Sequence, residues 1–207
     1  GEIIWTGANV LKNATGYDLT SLVIGSEGTL GVITKIVFRL IPLPTKDITM
    51  LVSFSSAEKA CEAVSAVFRA GIIPSALEFI ERDAIDWTLK YSDVQMQIHD
   101  NVKAHLLVEV DGDDMELLYK DCEKISELME EFECGEIFLA DSESQKKQLW
   151  KIRRAISEAV KANSVYKEED TVVPRAELPK LLNGVKEIGK KYGFKSVCYG
   201  HAGDGNL

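Results

Sequence analysis

From residue 46 onward, apolar and polar positions follow two alternating periods, which predicts strands and helices in turn. Two-residue alternation with β-branched side chains predicts strands over residues 47–54, 76–80, 104–110, 136–140 and 196–199. Apolar side chains spaced every 3.6 residues predict helices over residues 56–70, 82–90, 117–132, 142–162 and 176–192. Strand–helix–strand units with short connections favour an α+β fold, an antiparallel or mixed sheet with helices on one face.

Residues 1–45 have a different pattern, in which glycines separate short apolar runs. The runs predict strands over residues 1–4, 19–24 and 31–42, the last ending at Pro42 and Pro44. The glycines between them are typical of tight backbone turns. The change of pattern predicts a domain boundary near residue 45.

Composition narrows the functional classes. Of the 207 residues, 45% are hydrophobic and 28% charged, which is typical of a globular chain rather than a disordered one. The net charge of −9 disfavours nucleic acid and anionic lipid as partners, and no apolar run reaches the ~18 residues of a membrane span. Four cysteines without metal-ligand spacing favour inert thiols and a reducing, cytoplasmic setting.

One candidate site is the glycine-rich segment just before the predicted strand at residue 31. Glycines at this spacing leave backbone N–H groups open to an anion, and Ser26 and Thr29 add hydroxyl groups. The segment is neither a Walker loop nor a dinucleotide fingerprint, because no lysine follows and no helix is predicted after it. A glycine-rich hairpin without a ligand is the alternative.

A second candidate site follows the last predicted strand, where glycines surround His201. An imidazole at this position would bind a metal or accept a proton. The alternative is a turn stabilised by Asp204 and Asn206, with His201 incidental.

The third candidate site lies on the helix predicted over residues 142–162. Arg153 and Ser157 are four residues apart and project from one helix face, which suits a small carboxylate. A surface ion pair of Arg153 with Glu158 or Glu169 is the alternative.

Two runs of sequence near the N-terminus carry a family resemblance. Lys12-Asn-Ala-Thr-Gly-Tyr-Asp-Leu, followed by Ile24-Gly-Ser-Glu-Gly-Thr-Leu-Gly-Val-Ile-Thr, resembles the flavin-linked 2-hydroxyacid dehydrogenases. That family includes D-lactate dehydrogenases, the glycolate oxidase flavoprotein subunit and D-2-hydroxyglutarate dehydrogenase. The predicted helix around Arg153 and the run Gly200-His-Ala-Gly-Asp-Gly-Asn-Leu are similar to the family's substrate-binding cap domain.

The resemblance implies a fold and an FAD site. Residues 1–45 would be the C-terminal part of an α+β FAD-binding domain. Residues 46–207 would be a substrate cap with a ferredoxin-like antiparallel sheet, ending short of the family's C-terminus. The residues implied to contact FAD are Gly16, Tyr17, Asp18, Gly25, Ser26, Glu27, Gly28, Thr29, Gly31 and Val32.

The resemblance also implies a substrate site. His201 matches the first of two histidines that bind a divalent metal of the zinc or manganese type, and the second would follow Leu207. Arg153 matches the group that holds the substrate carboxylate, and Arg154 is its competitor. The other implied substrate-binding residues are Ser157, Lys167 and Asn206. His201 and Arg153 are thus the expected catalytic residues.

The implied activity is oxidation of a small D-2-hydroxyacid, such as lactate or glycolate, by hydride transfer to flavin. The electron acceptor is not identified. The chain resembles a fragment, so we expect it neither to retain FAD nor to turn over substrate, and its unpaired strand edges would permit a homodimer. The alternatives are a flavoenzyme similar to ether-lipid synthases, or a non-catalytic binding or assembly module.

Overall fold

The computed structural model describes residues 1–94, 96–140 and 142–207, which form two compact units, Gly1–Leu43 and Pro44–Leu207. The first unit contains one short helix, α1 (Leu19–Val23), which Asp18 caps by accepting a hydrogen bond from the Ser21 amide. The strands predicted over residues 1–4, 19–24 and 31–42 are wrong. A strand requires a paired neighbouring backbone, and the described part of this unit offers none.

The second unit alternates strands and helices much as predicted. Its elements in chain order are β1 (Lys46–Phe54), α2 (Ala57–Arg69), β2 (Ala76–Glu81), α3 (Arg82–Tyr91), β3 (Ala104–Gly112), α4 (Met115–Glu131), β4 (Cys134–Ala140), α5 (Glu143–Asn163), α6 (Leu178–Tyr192) and β5 (Tyr199–Gly200). Within the described ranges, no helix combines the length and apolar character needed to cross a membrane.

The five strands form one sheet in the order β4-β1-β3-β2-β5, and every neighbouring pair is antiparallel. This confirms the α+β class. The order of the first four strands, with α2 and α4 as connections, is the ferredoxin-like arrangement. The strand predicted over residues 196–199 is shorter and later than expected, because only Tyr199 and Gly200 pair with β2.

One face of the sheet, here called the apolar face, packs against α2, α4 and α6. Its inward positions form a single continuous cluster with residues of these helices, among them Val52, Phe54, Phe79, Leu106, Val64, Ile125 and Leu178. These side chains are at most 1% exposed. Burial of this continuous area is the main driving force for folding of the unit.

The opposite face, here called the polar face, is covered by α3 and α5. Helices therefore lie on both sides of the sheet rather than on the one side predicted. Two small apolar clusters hold these helices, one around Leu107 and Leu149 and one around Ile80 and Ile156. The sheet's buried polar side chains all have the register of this face, and they are Thr49, Ser53, Glu78 and His105.

All four cysteines are free thiols. Cys61 and Cys122 are buried in α2 and α4, as their apolar spacing predicts. Burial raises the pKa of the Cys122 and Cys198 thiols to about 11. Both therefore remain protonated near neutral pH and are poor nucleophiles, as expected of inert thiols.

Candidate functional site

Helix α5 carries the candidate arginine and is fixed at its first turn by a capping box. The Ser142 hydroxyl accepts a hydrogen bond from the Gln145 amide, and the Gln145 side chain accepts one from the Ser142 amide. From this start, Leu149, Ile152 and Ile156 point into the sheet at helical spacing. Arg153 follows Ile152 and lies beside this row of buried side chains, over the polar face of the sheet.

Glu78 on β2 is the centre of the candidate site. Its side chain is only 5% exposed, and its two oxygens contact two of the predicted residues. The Oε2 atom accepts hydrogen bonds from Arg153 Nε at 2.8 Å and pairs with Nη2 at 2.7 Å. The Oε1 atom lies 2.7 Å from His201 Nδ1. One buried carboxylate thus joins α5 to the loop after β5.

The contact with Glu78 determines how His201 presents its ring. An ionised carboxylate only accepts hydrogen bonds, so Nδ1 must carry the proton at 2.7 Å. In the neutral ring this leaves the Nε2 lone pair free, and the imidazole of His201 is 61% exposed. A carboxylate that orients a histidine in this way prepares it to accept a proton.

Arg153 keeps donors that Glu78 does not use. A guanidinium has five N–H donors, and Glu78 engages Nε and Nη2. The Nη1 group therefore has capacity for a second carboxylate. The centre of the Tyr199 ring lies 5.8 Å from the guanidinium carbon of Arg153, and the Tyr199 hydroxyl hydrogen-bonds with the Ser157 side chain. Burial raises the pKa of Tyr199, while the Ser157 hydrogen bond and the Arg153 charge oppose the rise.

The loop that follows His201 packs against the segment around residue 173. A Cβ at Gly200 would lie 2.5 Å from the Asn206 carbonyl oxygen. A Cβ at Gly205, whose φ is +79°, would lie 2.0 Å from the Val173 carbonyl oxygen. These glycines therefore serve the close packing of the loop itself, which fixes the backbone that presents His201.

Other predicted substrate residues lie apart from the Glu78 contacts. The Asn206 amide donates to Asp170 and to the Thr171 carbonyl, so it holds the loop in place. Lys167 is exposed and pairs with Glu169. Arg154 is exposed, whereas Arg153 is largely buried, and the partner of Arg153 is Glu78 rather than Glu158 or Glu169.

The described residues do not complete a site for the expected divalent metal. Within residues 1–94, 96–140 and 142–207, no three His, Cys, Asp or Glu side chains cluster closely enough to hold an ion. Among the described residues, Glu78 is the one carboxylate that pairs with the His201 ring, and its oxygens already contact Arg153 and the imidazole. We therefore derive no step through a metal.

The glycine-rich segment of the first unit has the backbone form that a close ligand requires. Gly16, Gly25 and Gly28 have φ angles of 84°, 78° and 77°, and a Cβ at each would meet nothing within 4 Å. The Thr29 hydroxyl donates to the Ser26 carbonyl, which tightens the turn between them. Open, exposed backbone of this kind fits the approach of a phosphate-bearing cofactor such as FAD.

The sequence prediction missed Glu78, the residue that connects its own candidates. Its signal was present in the strand predicted over residues 76–80. Glu78 and Ile80 share a strand face, and Ile80 is buried, so a carboxylate between buried positions required a partner. The sequence could not indicate which cationic residue is the partner of Glu78, because Arg153 is 75 residues away along the chain.

Comparison with protein families now assigns the class. Residues 43–207 match the family model described as FAD linked oxidases, C-terminal domain. That match covers most of the chain. The chain therefore belongs to the FAD-linked oxidase family, and it contains that family's C-terminal domain.

Individual curated proteins are similar to this chain along its whole length. The chain is 35% identical to D-lactate dehydrogenase of Anaerostipes hadrus, across 100% of this chain and 45% of that protein. It is also 35% identical to the glycolate oxidase subunit GlcD of Bacillus subtilis (strain 168), across 100% of this chain and 44% of that protein. The chain thus spans less than half the length of these curated relatives.

A solved structure shares the fold. The superposition on an alkyldihydroxyacetonephosphate synthase has a TM-score of 0.63 at 15% sequence identity, and covers 86% of this chain and 36% of the other. At this identity the similarity concerns the fold alone.

Proposed function

We propose that the chain is part of an FAD-dependent oxidoreductase that oxidises a small D-2-hydroxyacid to the 2-oxoacid. The observation that carries the proposal is the Glu78 contact with both Arg153 and His201, which pairs an anion-binding group with a proton acceptor. The names of relatives, a D-lactate dehydrogenase and a glycolate oxidase subunit, support this substrate class. The four free thiols support a reducing, cytoplasmic setting.

The proposed roles follow from donor and acceptor capacity. Arg153 would bind the substrate carboxylate through Nη1 while Glu78 holds the rest of the guanidinium, and Ser157 would support it through Tyr199. His201 Nε2 would accept the proton of the substrate hydroxyl. Bound FAD would supply the acceptor for the α-hydrogen, which leaves as hydride. One proton and one hydride thus leave the substrate, and a C=O bond forms.

The FAD contacts belong to the same proposal. Gly16–Asp18 and Gly25–Val32 would hold part of the cofactor, supported by the open positive-φ glycines among them. Residues 1–45 would then be the end of an FAD-binding domain and residues 46–207 the substrate cap. The unit division after Leu43 and the family match from residue 43 support this assignment.

The test uses the full-length, flavin-loaded protein under anaerobic conditions. D-lactate, glycolate and D-2-hydroxyglutarate are added in turn, and loss of flavin absorbance reports reduction. We expect at least one acid to reduce the flavin. If none does, the substrate class is wrong, while retained flavin would leave the family assignment untouched. A second assay asks whether the 207-residue chain alone retains FAD, and we expect that it does not.

Single substitutions in the full-length protein test the proposed roles of Arg153 and His201. Arg153→Lys keeps the charge but loses the guanidinium fork, so we expect kcat/KM to fall by about a hundredfold, largely through KM. Arg154→Lys, the exposed neighbour, is the matched control and should stay within about twofold. His201→Gln should lower kcat by about 10²–10⁴-fold with flavin content unchanged. Equal losses at positions 153 and 154 would contradict the proposed carboxylate site.

A further inference from the structure

The strand that leads to His201 is very short. β5 comprises only Tyr199 and Gly200, and it stands at the end of the strand order, paired with β2. The preceding residues 194–198 have neither helical nor strand conformation. A strand of this length contributes few ladder hydrogen bonds, so contacts of the preceding segment must also fix the path of the chain toward His201.

Glu81 at the end of β2 continues the pairing beyond this short strand. Its backbone amide donates a hydrogen bond to the Cys198 carbonyl oxygen at 3.0 Å. Its side-chain Oε2 accepts a hydrogen bond from the Cys198 amide at 2.8 Å. One glutamate thus satisfies both backbone groups of Cys198, and its carboxylate acts there as the carbonyl of a neighbouring strand does.

Lys186 on α6 fixes the carboxylate of Glu81. Its Nζ atom lies 2.6 Å from Oε1 and donates to Oε2 at 2.7 Å. The same Nζ donates to the Ser196 carbonyl oxygen at 2.9 Å. The Glu81 side chain is 13% exposed and that of Lys186 is 34% exposed, so water and salt weaken this ion pair less than a surface pair. Lys186 therefore joins α6, β2 and the segment before β5.

β2 holds the chain around His201 through two carboxylates on opposite faces of the sheet. Glu81 has the register of the apolar face, where α6 packs, and Glu78 has that of the polar face. Glu81 contacts Cys198, and Glu78 contacts the His201 ring itself. We infer that Lys186 and Glu81 are positioning residues, which fix the backbone path that brings the His201 ring to its carboxylate partner. Their effect on turnover rests on the function proposed above, whereas their effect on the ring does not.

The tautomer of the His201 ring reports this positioning without any need for activity. The contact with Glu78 requires the proton on Nδ1, whereas an imidazole without such a contact distributes its proton over both nitrogens. Nitrogen-15 NMR of the 207-residue chain, at a pH at which the ring is neutral, distinguishes the two forms, and His201→Gln assigns the signals. We expect the Nδ1–H form in the parent and a loss of about half of it or more in Lys186→Met. Lys190→Met, at an exposed lysine of the same helix, is the matched control and should leave the ring unchanged.

A second variant separates the loss of positioning from the cost of an unpaired carboxylate. Lys186→Met leaves the largely buried Glu81 without its cation, and an unpaired charge of this kind destabilises a fold. Lys186→Met combined with Glu81→Leu removes both charges and should show the same loss of the Nδ1–H form. Thermal unfolding checks that both variants are folded.

In the full-length, flavin-loaded protein the same change should act on turnover. We expect Lys186→Met to lower kcat about tenfold with KM within about twofold, because the proton acceptor is displaced while Arg153 still binds the carboxylate. In the His201→Gln background, Lys186→Met should change kcat by less than about twofold, since it acts through that ring. A residue that only stabilises the fold would instead lower the flavin-loaded fraction and leave kcat per flavin unchanged.

Three results would each overturn the inference. They are an unchanged tautomer in the folded variants at position 186, an equal change in Lys190→Met, and independent losses of kcat when Lys186→Met is combined with His201→Gln. If no 2-hydroxyacid reduces the flavin, the proposed function fails, while the tautomer measurement still decides whether Lys186 positions the ring.

Discussion

The two faces of the sheet are built from the same strands but on opposite principles. On the apolar face, Val52, Phe79 and Leu106 join one continuous cluster with three helices. No buried polar side chain of the sheet lies on this face among the residues that the structure describes. On the polar face, the apolar contacts are split into two small clusters. Glu78 and His105 occupy buried positions there, each flanked along its strand by residues of the apolar face.

This contrast separates the face that stabilises the fold from the face that holds buried polar groups. Continuous apolar packing stabilises one face without needing any partner for a polar atom. On the other face every buried polar atom needs a specific partner, and Glu78 has two whereas His105 Nδ1 has none among the described residues. The face that costs more to build is the one on which Glu78 contacts Arg153 and His201, the two residues proposed above to bind the substrate carboxylate and to accept a proton.

We expect the greatest loss of stability from a substitution in the apolar face. Phe79 on β2 is fully buried, and Phe79→Ala removes most of its side chain from the continuous cluster. We expect a loss of about 3–5 kcal/mol in the free energy of unfolding, measured by urea denaturation. Leu117→Ala is the control, because Leu117 is 57% exposed on α4 and should change stability by less than about 0.5 kcal/mol. A loss below about 1 kcal/mol at Phe79 would contradict the assigned role of this face.

The second prediction concerns the stability contributed by Glu78, which is next to Phe79 in the chain but lies on the polar face. Glu78→Leu leaves the Arg153 guanidinium, whose side chain is 13% exposed, without its carboxylate. We expect a loss of about 3 kcal/mol, because a largely buried charge remains unpaired. The double variant Glu78→Leu with Arg153→Met should lose less than either single variant, since apolar side chains of similar size often replace a buried ion pair without loss. Additive losses in the denaturation cycle would mean that the two residues are not coupled.

Much of the second unit could be predicted from its sequence, because its signals are local. Apolar periods and caps such as Ser56 and Ser142 set the helices to within a few residues. The first unit could not be predicted this way. Its β-branched run before Pro42 has the composition of a strand, but strand formation depends on a pairing partner that local pattern does not specify.

The same distinction between local and distant signals applies to the residues of the candidate site. Arg153 and His201 were identified through motifs and family resemblance, since each lies in a recognisable local run. Their shared partner Glu78 was not, because it is joined to them across 75 and 123 residues. The burial of His105, whose Nδ1 has no partner among the described residues, depends on packing by distant elements, which its local sequence does not specify.

The smallest of the three effects is a pH dependence of the free energy of unfolding, which comes from His105 on the polar face. Its pKa is lowered from 6.5 to about 4 in the folded chain, first by burial, so the unfolded chain binds more protons between these values. The contribution of the neutral ring to stability is therefore complete above about pH 6.5 and is lost as the pH falls toward 4. Between pH 7 and pH 5 we expect the free energy of unfolding to fall by about 2 kcal/mol from this residue alone.

His105→Leu isolates this contribution, because every other titrating group is common to both proteins. Urea denaturation of the two proteins at pH 7 and at pH 5 gives two pH-dependent losses, and the parent should lose about 2 kcal/mol more than the variant. The variant should also be no less stable than the parent at pH 5, since it lacks the buried Nδ1 atom for which the described residues supply no partner. Identical losses would mean that the imidazole titrates normally in the folded chain, and that the polar face does not hold His105 neutral.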